Sequence, residues 1–130
     1  MKQLKTVLLV NALSSAAAGL LFLVLAAPFA SLFGITNVLL FEATGVFLLL
    51  FAGFVMYAAT RSPITAGMTK LVTLLDISWV LASMVVVIEF GHVITMVGSL
   101  IILAIAAWVA LMALLQYRGL LEMNQRNATV

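Results

Sequence analysis

Four long apolar stretches account for nearly the whole chain and restrict what it can fold into. They cover residues 6–27, 38–60, 71–90 and 93–117. An α-helix rises about 1.5 Å per residue, so roughly 20 residues cross the hydrocarbon core of a bilayer. Each stretch is long enough to do so. The sequence therefore predicts an all-α polytopic membrane protein, an antiparallel four-transmembrane-helix bundle.

Composition excludes a soluble globular protein and several kinds of chemistry. Hydrophobic residues make up 66% of the chain and charged residues 8%, whereas a soluble domain is about half apolar and about a quarter charged. The absence of cysteine excludes thiolate metal sites and cysteine nucleophiles. A single histidine excludes a haem held by two histidines of one chain. We therefore expect no cofactor, no metal and no catalytic residues, and the scattered basic residues predict no nucleic-acid partner.

The chain is predicted to form one domain over residues 1–121, followed by a short polar tail, 122–130. Pro28 is expected to end or kink the first span, and residues 29–35 are expected to lie along the headgroup boundary. Lys2, Lys5 and the small residues 16–18 also match a signal peptide. The apolar run continues to Ala27 without a polar stop, so we expect the first span to be retained.

The basic residues predict the orientation of the spans. In this topology all of them fall on one side, namely Lys2, Lys5, Arg61, Lys70, Arg118 and Arg126. The opposite loops, around Asn37 and Gly91, contain no lysine or arginine. Cytoplasmic loops carry the excess of these residues. We therefore expect a multi-pass protein of the cell inner (plasma) membrane with both termini in the cytoplasm.

Each span has one face of small or polar residues, through which helices associate in lipid. At about 100° per residue these faces are Asn11, Ser15, Ala18 and Gly19; Glu42, Gly45, Gly53, Tyr57 and Thr60; Thr69, Thr73, Asp76 and Ser83; and Ser99, Ala106, Ala110, Ala113 and Tyr117. The pattern indicates packing between the spans or a narrow polar cavity. Small residues on a second face also permit a homo-oligomer.

Asp76 is an ionisable residue at membrane depth, which costs roughly 2.5–3.5 kcal/mol on insertion scales. It lies about 9 Å beyond Lys70, at a depth similar to that of Asn11. Trp79, Trp108 and Tyr57 lie near them. A buried indole N–H prefers an acceptor, and Asp76 or Asn11 is the expected one. One interpretation is a structural polar clasp, in which Asp76 takes a proton or pairs with Asn11 or a basic residue. The other is a proton or cation pathway, or a ligand-binding site.

A second candidate site lies at the outer mouth. Glu42 is about one turn inside the second span, and Glu89 and His92 flank the end of the third. A Glu-x-x-His pair is one element of carboxylate di-metal sites. Such a site needs two pairs and further carboxylates, so solvated headgroup-level residues are the preferred interpretation, with Glu42 within reach of the other two.

Three segments together resemble a known group of proteins. These are Glu42-x-x-Gly45 opening the second span, Tyr57 to Arg61 closing it, and Asp76-x-x-Trp79 in the third. The layout looks like the small four-span bacterial inner-membrane proteins that are DoxX-like or uncharacterised. Some members of that group are described as oxidase-associated subunits. The resemblance implies the four-span fold alone.

The features together favour a non-enzymatic protein that binds membrane lipid or a small apolar ligand, or that serves as a subunit of a membrane-protein partner. The alternative is an oligomeric channel or a proton-coupled small transporter that uses Asp76. A transporter needs polar groups at several depths along one path, whereas a binding protein needs a pocket accessible from lipid. An enzyme is disfavoured, because no nucleophile or metal set accompanies the acidic residues.

Overall fold

The computed structural model describes the backbone of residues 2–129 and the side chains of residues 3–123. Within this part of the chain there are five helices and no strands. They are α1 (Lys2–Val24), α2 (Ala26–Phe33), α3 (Val38–Thr60), α4 (Ala66–Phe90) and α5 (Met96–Thr129). All except α2 are long and apolar enough to cross a membrane. The prediction of an all-α bundle with four spanning helices is confirmed.

Three helices extend beyond the predicted spans. α1 and α4 begin about one turn earlier than the apolar stretches, at Lys2 and Ala66. α5 begins at Met96 rather than 93 and continues to Thr129 rather than ending at 117. The polar tail is therefore helical as far as it is described, and Val130 lies outside the described residues. Hydropathy marks only the part of a helix that crosses hydrocarbon, so it underestimates helices with charged end turns.

The first span is interrupted at Leu25, between α1 and α2, and Pro28, which was predicted to end or kink it, lies in the first turn of α2. Proline has no backbone N–H to donate to the carbonyl four residues earlier, which here belongs to Val24, the last residue of α1. Hydrogen bonds from Leu25 N to Leu21 O and from Phe29 N to Leu25 O continue on either side. The two helices therefore form a bent, nearly continuous unit.

Gly34 ends α2. Its φ of 75° is in the left-handed region, which a glycine adopts without steric cost. Gly34 N donates to Ser31 O at 3.1 Å, and Ile35 N donates to Ala30 O at 2.8 Å. This is the Schellman arrangement, and it satisfies carbonyls at the end of the helix. The chain can then turn into α3, which Asn37 caps by accepting from Leu39 N.

The four long helices form two closely packed pairs, α1 with α3 and α4 with α5. In the first pair the backbones approach at two glycines. A Cβ built on Gly45 would lie 2.7 Å from Gly19 O and 2.8 Å from Leu23 N, closer than real Cβ atoms pack. Small residues allow this approach, and dispersion contacts between the two backbones then hold the pair.

The two pairs contact each other mainly near their ends. At the end of the bundle that carries both termini, Leu4 packs against the position of Gly119 in α5. At the opposite end, Phe33 packs against Gly98, Thr95 Oγ1 donates to Leu32 O at 2.7 Å, and Thr95 N donates to Phe33 O. α3 and α4 have little direct contact. Space therefore remains between the pairs at mid-depth.

The buried faces agree with the predicted faces in some helices and not in others. In α4 all of Thr69, Thr73, Asp76 and Ser83 are buried, as predicted. In α3 the prediction is wrong apart from Gly45: the buried residues are mostly apolar, and Glu42, Gly53, Tyr57 and Thr60 are exposed. In α5 Ala106 and Ala113 are buried, whereas Ala110 and Tyr117 are exposed. Apolar side chains serve equally well against lipid and against another helix, so polarity does not identify the face.

The α1–α3 contact predicts a difference between two glycines of α3. We expect Gly45→Ala to lower the free energy of unfolding in mixed micelles by about 1–3 kcal/mol, because its Cβ would overlap the α1 backbone. Gly53→Ala is the matched control, since no atom lies within 4 Å of its Cβ position. It should leave stability unchanged or raise it. Equal effects of the two substitutions would contradict this packing.

Candidate functional site

A hydrogen bond between Asn11 and Asp76 links the two helix pairs inside the bundle. Asn11 Nδ2 donates to Asp76 Oδ2 at 2.9 Å, and both residues are only 2% exposed. Ser15 Oγ lies 3.4 Å from Asn11 Oδ1 and donates to it. The contact suggested by the similar depths of Asn11 and Asp76 is therefore present. It connects α1 with α4, which otherwise pack against different partners.

A cavity of about 250 Å³ lies next to this hydrogen bond. Asn11, Ser15 and Asp76 form its polar part, and most of its wall is apolar. All four long helices contribute to the lining. The cavity lies where α3 and α4, which have little direct contact, leave space between the two helix pairs.

Both tryptophans of the chain, Trp79 and Trp108, line the cavity. The Trp79 ring is parallel to that of Phe47, with 6.3 Å between ring centroids and an angle of 2° between planes. Trp79 Nε1 is buried and has no hydrogen-bond partner among the described residues. The expectation that Asp76 or Asn11 accepts from this indole is therefore wrong. Trp108 is 43% exposed, so the cavity wall reaches the outer surface of the bundle.

Gln116 is a buried polar residue that sequence reasoning missed. Its side chain is fully buried, and Oε1 accepts from Thr73 Oγ1 at 2.9 Å. Its Nε2 has no hydrogen-bond partner among the described residues. Gln116 lies within the predicted fourth span, next to its last residue, Tyr117, where a polar side chain does not stand out. Gln116 follows Ala113 by three residues, which places it on the same helix face as that small residue. This spacing could have identified Gln116 as a buried residue.

Tyr57 does not join the other candidate residues. It is 51% exposed, and its ring lies under the guanidinium of Arg61 at 4.2 Å. Lys70 is also exposed. Within the described residues neither basic side chain forms an ion pair with Asp76. The aspartate therefore has an amide partner and no cationic one.

The three residues of the predicted outer mouth remain separate. Glu42, Glu89 and His92 are all exposed, and none forms a hydrogen bond or ion pair within the described part of the chain. The expected reach of Glu42 to the other two is absent, and α3 and α4 have little direct contact. The described residues also contain no group of three acidic or histidine side chains able to hold a metal ion.

A second cavity, of about 300 Å³, lies towards the end of the bundle opposite the termini. Its lining is almost entirely apolar and includes Phe22, Phe33, Phe41 and Ile94, with Ser83 as a polar exception. Phe41 packs edge to face on Phe22 and Phe33, which joins α1, α2 and α3. Trp79 lines both cavities and therefore stands between them.

No protein-family model matches the chain, and neither a curated protein nor a solved structure matches it significantly. The resemblance to DoxX-like proteins therefore remains a prediction.

This geometry suits binding better than catalysis. The first cavity has a mostly apolar wall with a few polar groups on one side, the usual constitution of a small-molecule site. An apolar cavity of about 150 Å³ already holds a benzene-sized molecule, so about 250 Å³ holds a somewhat larger one. No nucleophile paired with a base lines it.

The Asn11–Asp76 bond predicts that two replacements of Asp76 differ. We expect Asp76→Leu to lower the free energy of unfolding by about 1–3 kcal/mol, because Asn11 Nδ2 then lacks its buried acceptor. Asp76→Asn keeps an acceptor oxygen and should retain most of the stability. The measurement is denaturation of the purified protein in mixed micelles.

Ser78→Leu is the control for replacing a polar α4 residue by leucine. Ser78 is exposed, and its hydroxyl donates only within its own helix, to Leu74 O at 2.8 Å. Ser78→Leu should leave the free energy of unfolding nearly unchanged. If Asp76→Asn and Asp76→Leu lower the free energy of unfolding equally, the hydrogen bond does not stabilise the bundle.

Proposed function

We propose that the chain is a non-enzymatic integral membrane protein that binds a small, mainly apolar molecule in the cavity beside Asn11 and Asp76. The cavity itself is the observation that carries this proposal. It has an apolar wall, a polar patch provided by two buried side chains, and a rim that includes the exposed residues Phe47 and Trp108. A ligand dissolved in the bilayer enters at this rim, beside Phe47 of α3 and Trp108 of α5, without crossing water.

The distribution of polar groups favours binding over transport. Asn11, Ser15, Asp76, Thr73 and Gln116 cluster in one part of the bundle. The second cavity is nearly apolar. A channel or proton-coupled transporter needs polar groups along the whole path. An ion flux in proteoliposomes that Asp76→Asn abolishes would replace our proposal with that alternative.

A role as a subunit of a larger membrane complex is compatible with ligand binding. Many large apolar side chains point outward, Leu50, Ile88 and Met96 among them. Such a surface suits lipid and also suits a second copy or another membrane protein. The cavity, in contrast, distinguishes one place on the molecule, and for that reason the proposal is centred there.

We also propose that the protein lies in the cell inner membrane with both termini in the cytoplasm. Lys5, Arg61, Lys70 and Arg118 lie at the α1 start, the α3 end, the α4 start and the last third of α5, which supports one shared side. The side chains of Lys2 and Arg126 lie outside the described residues. The basic side of a membrane protein is normally the cytoplasmic one.

Reporter fusions test the orientation. A fluorescent protein fused after Val130 should fold and emit, because it stays in the cytoplasm. Alkaline phosphatase inserted after His92 should be active, because that loop faces outward. Activity of a phosphatase fused after Val130 would contradict the proposed orientation.

Tryptophan fluorescence tests ligand binding directly, since both tryptophans of the chain line the cavity. We expect bromobenzene to quench the emission of the purified protein in nanodiscs with a saturable component, because its bromine atom contacts the indoles when bound. Quenching by bromobenzene dissolved in the bilayer rises linearly instead. The titration curve separates the two contributions.

Two alanines of α5 provide a matched pair for this titration. Both are exposed, but Ala104 lines the cavity and Ala107 does not. Ala104→Leu should weaken the saturable component several-fold by occupying the cavity, and Ala107→Leu should leave it unchanged. A purely linear curve for the unmodified protein would overturn the proposed function.

A further inference from the structure

Asp76 is the one ionisable side chain among the described residues that line the first cavity. No lysine, arginine or histidine shares that lining. Its hydrogen bond with Asn11 uses one carboxyl oxygen, and the side chain still borders the cavity. The cavity therefore contains an acidic group without a basic counterpart. A buried carboxylate is stabilised only when an opposite charge or several hydrogen bonds compensate it.

Aromatic rings provide much of the remaining wall. Phe47 and Phe51 of α3 stand on one side, and Trp79 and Trp108 belong to the α4–α5 pair on the other. The face of an aromatic ring carries negative potential and attracts cations, with tryptophan the strongest. A carboxylate and several rings around one space are the features by which proteins recognise organic ammonium ions.

We propose that the first cavity selects a hydrophobic organic cation, a lipophilic ammonium compound whose charge lies beside Asp76 and whose apolar part contacts the aromatic rings. This inference rests on the proposed function and adds the ligand class to it. The ammonium group supplies the counter-ion to Asp76 that no residue of the cavity provides. The mainly apolar wall disfavours strongly hydrated cations such as Na⁺, and the acidic group disfavours anions.

The size and position of the cavity fit this class of ligand. About 250 Å³ accommodates an aryl ring with a small ammonium head. The rim residues Phe47 and Trp108 are 48% and 43% exposed, so the entrance is apolar and faces the surface that contacts lipid. A lipophilic cation reaches such an entrance through the bilayer, with its charge near the headgroups.

Two brominated probes of the same shape test the proposal. One is (4-bromobenzyl)trimethylammonium, and the other is 1-bromo-4-neopentylbenzene, in which carbon replaces the charged nitrogen. Each probe is titrated against the unmodified protein and against Asp76→Asn in nanodiscs, with quenching of tryptophan fluorescence as the readout. The affinity of each probe is compared only between protein variants, so the different partitioning of the two probes into the bilayer does not affect the result.

We expect Asp76→Asn to weaken binding of the cation about tenfold or more and to leave the neutral probe unchanged. Glu89→Gln removes the same charge from an exposed position of α4 that does not line the cavity, and it should affect neither probe. Asp76→Asn retains an oxygen that can accept from Asn11, so the fold should survive.

Phe47→Leu provides a second test that does not alter Asp76. It removes the ring parallel to Trp79 at a half-exposed position. It should weaken binding of the cationic probe more than binding of the neutral probe. If both probes bind equally well to Asp76→Asn and to the unmodified protein, the cation inference is wrong and the proposed function stands. If neither probe binds saturably to the unmodified protein, both proposals fail.

Discussion

Close contact between the two helix pairs is concentrated near their ends, and the rest of the molecule depends on this arrangement. At one end Leu4 packs against Gly119. At the other end Phe33 packs against Gly98, and Thr95 forms hydrogen bonds with α2. In a bilayer no hydrophobic force closes the remaining gap, because lipid chains fill it as favourably as side chains do. A cavity at mid-depth is therefore far less costly here than in water.

The Asn11–Asp76 bond acquires its importance from the same arrangement. It crosses the region where the pairs are apart, so it both limits their separation and provides the polar part of the cavity wall. The Thr73–Gln116 bond differs, because it joins two helices that already pack against each other. Thr69 O also lies 2.9 Å from Thr73 Oγ1 and can accept its single hydroxyl proton when Gln116 is lost, so losing Gln116 strands no donor in α4. One polar contact thus determines the cavity, and the other supports a helix pair.

The sequence was sufficient to predict the fold class, the four spans and the polar face of α4. Their signals are strong, since span length follows from bilayer thickness and Asp76 is costly wherever it meets lipid. It was not sufficient for the packed face of α3, where Phe41, Leu48 and Val55 are buried and Glu42 is not. A leucine or phenylalanine in a spanning helix is equally stable inside and outside the bundle, so periodicity of polarity carries no information there.

The candidate site was predictable in part for a related reason. Asn11, Asp76, Trp79 and Trp108 stand out as polar or amphipathic residues at similar depth, and the structure places all four around one cavity. Gln116 was missed because it lies beside a span boundary. The predicted outer-mouth site is not assembled, because Glu42 and Glu89 belong to α3 and α4, which have little direct contact. The depth of a residue in the membrane can be inferred from the sequence. Which helices pack together depends instead on backbone contacts such as that between Gly19 and Gly45.

The parallel pair of Phe47 and Trp79 has a consequence for the length of any occupant. Trp79 borders both cavities, so a molecule confined to the first leaves the pair in place. A longer molecule enters the second cavity only if a side chain that lines both cavities, Trp79 or Ile105, turns to another rotamer. For Trp79 this gives up the contact with Phe47. The side chains between the two cavities thus limit the length of the molecules that the first cavity can hold.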